Sequence, residues 1–199
     1  MRHWLPLVLL SLATACAHHP RSLRPNAVVP LERDEYGRIV SQYTSKADQY
    51  SGFYQTFQAD VTILNSEVLS AALRQRGAIQ QWDEKQYQTE REKMLQDNSA
   101  YAKFFLRFYS PDRDFDDMGK GKSVWKVYLD ISGQRLEGKV KKLKDKYLEL
   151  QTIYPHYDHF STPYEITFNV PMATVENAAS KVTLASSLGT AEFSFPGKK

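Results

Sequence analysis

Hydrophobic positions along this chain change period twice. Tyr36, Val40, Tyr43, Ala47 and Tyr50 recur every three or four residues, one stripe of a helix, with Gly52 placed to end it. Phe57, Ala59, Val61 and Ile63 then alternate with Gln58, Asp60 and Thr62, the period of a half-buried strand. Val68, Leu69, Ala72 and Leu73 return to helical spacing, with Arg74 and Arg76 suited to the negative end and Gly77 to the stop. The next segment carries the clearest helix start. Asp83 can cap it, Gln86 completes a capping box, and Trp82 and Tyr87 are placed as a hydrophobic staple. Tyr87, Arg91, Met94 and Leu95 share a face of that helix, and Asn98 terminates it.

Beyond Asn98 the alternation of strands takes over. Phe104, Leu106 and Phe108 form one face; Trp125, Val127, Leu129 and Ile131 form another, opposite Lys126, Tyr128 and Asp130. Ser132-Gly133 signals a tight turn into a strand from Arg135 to Lys141, and Tyr147 to Ile153 reads as a fifth strand. Tyr164, Ile166, Phe168 and Val170 supply the sixth. Val182 and Leu184, then Ala191, Phe193 and Phe195 after Gly189, supply the last hairpin. About eight short strands punctuated by turns predict a mainly β fold. The expected form is an immunoglobulin-like antiparallel β-sandwich with an N-terminal helix and a two-helix insertion at about residues 65–98, between its first two strands. The antibody-type Cys-Trp-Cys framework is lacking, because the chain has a single cysteine.

The N-terminus follows another logic. Arg2 precedes an apolar stretch from Trp4 to Leu12, too short for the roughly 20 residues of a spanning helix and suited to a secretory signal. Ala13-Thr14-Ala15-Cys16 follows at once, and this segment resembles a bacterial lipobox, with Leu12 one place before the position where leucine is commonest. The resemblance is to bacterial lipoproteins and covers residues 1–16 only. It implies removal of residues 1–15, lipidation of Cys16, and, with Ala17 rather than aspartate next, sorting to the outer membrane with the domain facing the periplasm. The competing reading is cleavage after the A-x-A sequence and release of an unanchored protein. Several acyl chains on one residue would anchor firmly where a single chain holds marginally. Residues 16–34, with Pro20, Pro25 and Pro30, read as a semi-rigid tether, and residues 35–199 as a single domain.

Composition narrows the classes. Of 199 residues, 42% are apolar and 25% charged, which excludes a largely disordered chain. The formal charge is +3, or +2 once Arg2 leaves with the signal. So mild an excess, in an exported protein, gives no reason to expect nucleic acid as a partner.

Candidate chemistry is sparse. Asp112, Asp114 and Asp116 make a D-x-D-x-D run, but the glycine position of a calcium loop holds Asp117 and the glutamate position Ser123, so a solvated hairpin loop is the better reading. Gly119 to Ser123 ends like a phosphate loop, yet position 116 is aspartate and a strand follows. His156, Asp158 and His159 are metal-type donors between Pro155 and Pro163. The expected reading is an exposed loop, with zinc binding the minor alternative and no third histidine or glutamate partner identified. Its neighbours Tyr154, Tyr157 and Phe160 are residue types that interfaces prefer. Lys139, Lys141, Lys142, Lys144 and Lys146 either guard an edge strand or form a docking strip for an anionic partner. No G-x-S-x-G elbow is present.

These readings predict a non-enzymatic, membrane-anchored envelope lipoprotein that binds or braces a protein partner, with no cofactor. A metal-dependent enzyme using the 156–159 loop and a carrier of lipid or another hydrophobic ligand are the alternatives.

Overall fold

The computed structural model describes residues 27–198. The predicted signal segment, Cys16 and the tether up to residue 26 lie outside the described residues. In chain order the elements are α1 (Arg33–Gln42), β1 (Thr44–Ser51), β2 (Tyr54–Ile63), α2 (Ser66–Ile79), α3 (Glu84–Ala100) and β3 (Ala102–Tyr109). A 3-10 turn at Arg113–Phe115 leads to β4 (Lys126–Ile131), β5 (Gln134–Glu137), β6 (Lys139–Lys142), α4 (Tyr147–Ile153), β7 (Thr162–Phe168), α5 (Met172–Asn177), β8 (Ser180–Ser186) and β9 (Gly189–Phe195).

The strands form two antiparallel sheets, ordered β1-β2-β3-β7-β6 and β5-β4-β8-β9. Alternate residues of both sheets enter one core: Phe57 and Val61 from β2, Phe104 and Leu106 from β3, Leu129 from β4, Ile166 from β7, Leu184 from β8 and Phe193 from β9. Period-2 patterning does this directly, since successive side chains point to opposite faces. Trp125 closes one end of the core, edge-on to Phe57 and Phe108 with centroids 4.9 Å away in each case.

β3 is buried on both faces. Phe104, Leu106 and Phe108 face the shared core, while Phe105 enters a second cluster with Leu64, Val68, Leu150, Ile153, Tyr154 and Tyr157. Helices therefore cover the outer side of the five-stranded sheet. α1 joins this layer through Tyr36 and Val40, and the buried Tyr36 hydroxyl donates to the carbonyl of Ile153.

Several expectations are corrected. The first helix ends at Gln42, and residues 44–51 are a strand, so the chain has nine strands and five helices among its described residues. β1 lies at the edge of its sheet, where few of its residues need be apolar, and its sequence TSKADQYS carries no clean alternation. Gly52 is in the left-handed region, at φ 61°, but it makes the β1–β2 turn rather than a helix end. The helical insertion consequently lies between β2 and β3. Gly77 sits inside α2, and α3 runs past Asn98 to Ala100.

The single strand expected over Arg135 to Lys141 is two strands in different sheets. The chain changes sheet at Gly138, where an added Cβ would stand 2.8 Å from the Phe168 ring and 2.9 Å from Ile166. Tyr147 to Ile153 is a helix, not a strand. Leu150, Ile153 and Tyr154 are buried at helical spacing while Leu148 is 73% exposed, the opposite of what strand alternation requires. Other readings hold: the capping box of Asp83 and Gln86 is formed, and Ser132 and Gly133, both at positive φ, make the β4–β5 turn.

Candidate functional site

The helical layer leaves a groove. β2 ends at Ile63, and Asn65 caps α2 by accepting from the Val68 amide at 2.9 Å. This cap sets α2 over the sheet with Val68 and Ala71 facing inward. α3 leaves α2 through the residues around Trp82 and buries none of its own side chains. Between α2, α3, α4 and the outer side of β3 and β7 lies a groove of about 660 Å³. Its apolar wall includes Leu64, Leu69, Leu73, Leu150 and Ile153, with Met94 from α3. Both signs of charge line it too, with Arg76, Lys93 and Lys103 against Glu90, Asp97 and Glu165. Lys103 and Asp97 are already paired at 2.8 Å. The volume lies in the range of small-molecule sites, although charged side chains make up a larger share of the lining than such sites usually carry. No signal in the linear pattern marks it, because its residues come from three helices, two strands and the links beside them.

The 154–160 segment is not the exposed contact loop its composition predicts. Tyr154 and Tyr157 are buried; Tyr154 stacks on Phe105 with centroids 3.6 Å apart and rings 5° from parallel. Only Phe160 of the three aromatics is well exposed. His156 is half-buried, edge-on to Phe105, with Nε2 3.3 Å from the Thr62 hydroxyl. Burial, reinforced by the positive charges of Lys46 and Arg107, pushes its imidazole down to about 4.

Asp158 organises the segment. It accepts from Arg107 Nε at 2.8 Å and, through its other oxygen, from the Phe160 amide at 2.8 Å and the Ser161 hydroxyl at 2.9 Å. Burial works against the charged form, but these bonds outweigh it and hold the carboxyl below its usual range. Arg107 also lies 3.9 Å from buried Asp60, which Lys46 approaches at 3.5 Å. Burial is the larger influence on Asp60 and raises it. His159 lies against Tyr147, with centroids 4.2 Å apart. Thus His156, Asp158 and His159 each have separate partners.

The acidic loop is similarly engaged. Asp112 accepts from the Asp114 amide at 3.0 Å, Asp117 from the Ser123 hydroxyl at 2.8 Å, and Asp116 from the Tyr164 hydroxyl at 3.0 Å as well as from Thr162. Among the described residues no group of three or more His, Cys, Asp or Glu side chains is arranged to hold a metal ion.

Lys139, Lys141 and Lys142 lie on β6, the outer strand of the five-stranded sheet, and Lys144 and Lys146 on the link into α4. All five are exposed, and Lys141 stands opposite Glu165 in the ladder.

One polar cluster escaped sequence reasoning altogether. Ser66, at the start of α2, donates its hydroxyl to Glu176 at 2.8 Å, and Lys198 Nζ lies 2.7 Å from Glu176 and 3.1 Å from the Ser66 hydroxyl. A serine beside a lysine invites a hydrolytic reading, which requires the lysine to accept a proton. Here Glu176 holds the Lys198 ammonium above its usual range, while Lys198 and Ser66 overcome the effect of burial and hold Glu176 below its own. Neither group is a competent base near neutral pH. The cluster latches the C-terminal segment, whose Lys198 amide also donates to the Glu176 carbonyl at 2.7 Å, onto the start of α2.

No protein-family model, curated protein or solved structure matches the chain. Among the described residues no helix is long and apolar enough to cross a membrane.

Proposed function

We propose that this chain is a non-enzymatic binding module of the bacterial envelope, tethered through a lipid on Cys16 to the outer membrane, with the groove beneath α3 as its binding site. The groove carries this reading: about 660 Å³ with an apolar wall, bounded on one side by a helix that buries none of its own residues. A helix so lightly held can shift at little cost, since few buried contacts oppose it. The occupant is an amphipathic molecule with an apolar body, which joins the binding-module reading to that of a lipid or hydrophobic-ligand carrier. The fold in this proposal is an immunoglobulin-like sandwich. The shared core and the passages of chain between sheets at β3–β4, β5–β6 and β7–β8 support it.

Two tests address the parts separately. Radiolabelled palmitate incorporated by the wild type and not by a Cys16→Ser chain supports the anchor; equal incorporation refutes it. For the groove, a fluorescent fatty-acid analogue is titrated against the wild type and Leu73→Arg. Saturable binding weakened at least about tenfold in the variant supports the site, since burying a guanidinium against the apolar wall costs more than the 1.4 kcal/mol that a factor of ten represents. Equal affinity, or no saturable binding to the wild type, removes the groove from the proposal.

A further inference from the structure

The β1–β2 hairpin ends in three exposed aromatic side chains. Tyr50 is 59% exposed, Tyr54 81%, and Phe53 fully so. They are held in place rather than scattered on a loop. The turn has two residues, Gly52 and Phe53, between the paired Ser51 and Tyr54, and Gly52 takes the positive φ that a two-residue hairpin with glycine first requires. Tyr50 is fixed by a hydrogen bond from Gln55 Nε2 to its hydroxyl at 3.2 Å. A bulge beside Gln49 and Tyr50 adds local twist to the hairpin.

The charge pattern identifies the surface this tip meets. A quarter of all residues are charged, yet from Gln49 to Ala59 none is; the other polar groups are glutamine, serine and threonine. Electrostatic docking to an anionic or cationic partner has nothing to act on here. An aromatic tip with neutral polar flanks matches the interfacial zone of a bilayer, where tyrosine rings sit with the hydroxyl in water and the ring among headgroups.

We propose that the β1–β2 tip inserts into the interfacial zone of the membrane that carries the tether, with Phe53 deepest and Tyr50 and Tyr54 at headgroup level. This rests on the anchored reading, because a lone tip of three rings binds weakly unless a tether raises its effective concentration. Ten residues lie between Cys16 and Ala27, so eleven steps give a fully extended contour of about 36–40 Å at 3.3–3.6 Å each. The ten residues of β2 span about 33 Å at 3.3 Å each. The fully extended tether is therefore at least as long as the hairpin. Two attachments in place of one would set the orientation of the domain on the membrane.

The test uses the lipidated protein extracted from membranes and reconstituted on phosphatidylcholine vesicles with brominated acyl chains. Phe53→Trp places a reporter at the tip, and Leu148→Trp places one at the exposed α4 position as a control. The expected result is a blue shift and bromine quenching of the added emission in Phe53→Trp, neither in Leu148→Trp, and no change when anionic lipid is included. Protein that floats with the vesicles while Phe53→Trp stays unquenched overturns tip insertion and leaves the anchor standing. Equal quenching at both positions also overturns it, as unspecific adsorption. Protein that fails to float refutes the anchor and this proposal together.

Discussion

Replacing His156 by glutamine should remove a defined part of the acid sensitivity of this protein. The imidazole ring is half-buried between Phe105 and Thr62 and faces the positive charges of Lys46 and Arg107, with Asp60 and Asp158 as the counter-charges on that arginine. Its folded value is about 4, depressed from an ordinary imidazole near 6.5. The unfolded chain therefore binds a proton in the window between these values while the native protein does not, so stability falls as pH drops below about 6.5 and the loss is complete below about 4. The full gap corresponds to about 3 kcal/mol, of which about 2 kcal/mol has been lost by pH 5 relative to pH 7. Glutamine does not titrate, so the variant lacks this component whatever its packing costs at neutral pH. Urea unfolding of both proteins at intervals from pH 7.5 to 4.5 gives the comparison. Wild-type stability should fall toward the variant's, closing the difference by about 2 kcal/mol at pH 5. Curves that stay parallel across the window would refute the half-buried, uncharged histidine.

Three further predictions concern the elements that frame the site. Gly138→Val should lower stability by at least about 2 kcal/mol in urea unfolding, because the new side chain meets Phe168 and Ile166 where the chain changes sheet; an unchanged midpoint would contradict that crossing. Asp83→Ala should cost about 1 kcal/mol through loss of the capping box, and hydrogen exchange should locate the loss in the first turns of α3, so unaltered protection there would count against it. Lys139→Val combined with Lys141→Val should yield larger species in sedimentation velocity than the wild type at equal concentration. Exposed lysines on the outer strand β6 oppose edge-to-edge pairing, and an unchanged distribution would assign the lysines another role.

Legibility of this fold in its sequence depended on how each element is buried. β2, β3, β4, β7, β8 and β9 each place one face in the shared core, so alternation revealed them. β1 failed because an edge strand needs few apolar side chains, and because Tyr36 to Tyr50 happens to repeat at helical spacing across a helix–strand junction. Gly52 was recognised as a punctuation point with the right conformation but the wrong partner element, since positive φ serves a helix end and a hairpin turn equally. α4 failed for the opposite reason: seven residues are too few to separate period 2 from period 3.6 without knowing that Leu148 faces solvent. The sheet change at Gly138 is a tertiary event, enforced by contacts with β7 that lie some thirty residues downstream.

Side-chain chemistry was legible as residue type and illegible as role, and that distinction decides which surfaces remain for function. Asp158, Asp116 and Glu176 each accept two or more hydrogen bonds from within the fold, and each bond holds a loop or terminus in place. A carboxylate so engaged must release those donors before it can bind a metal or take a proton, and leaving a donor unsatisfied costs about 1–3 kcal/mol. Tyr154 and Tyr157, although of interface type, are engaged in the same way by Phe105 and the helices around it. The exposed rings of the hairpin tip face no such competition; in the groove Leu64, Leu150 and Ile153 already belong to the second cluster, and an occupant would meet only the surface they leave uncovered. Binding at the tip would gain burial at the hydrophobic rate, about 25 cal/mol per Å², without breaking a core contact. On the proposed reading, recognition falls to these apolar surfaces, while the engaged carboxylates secure the architecture that presents them.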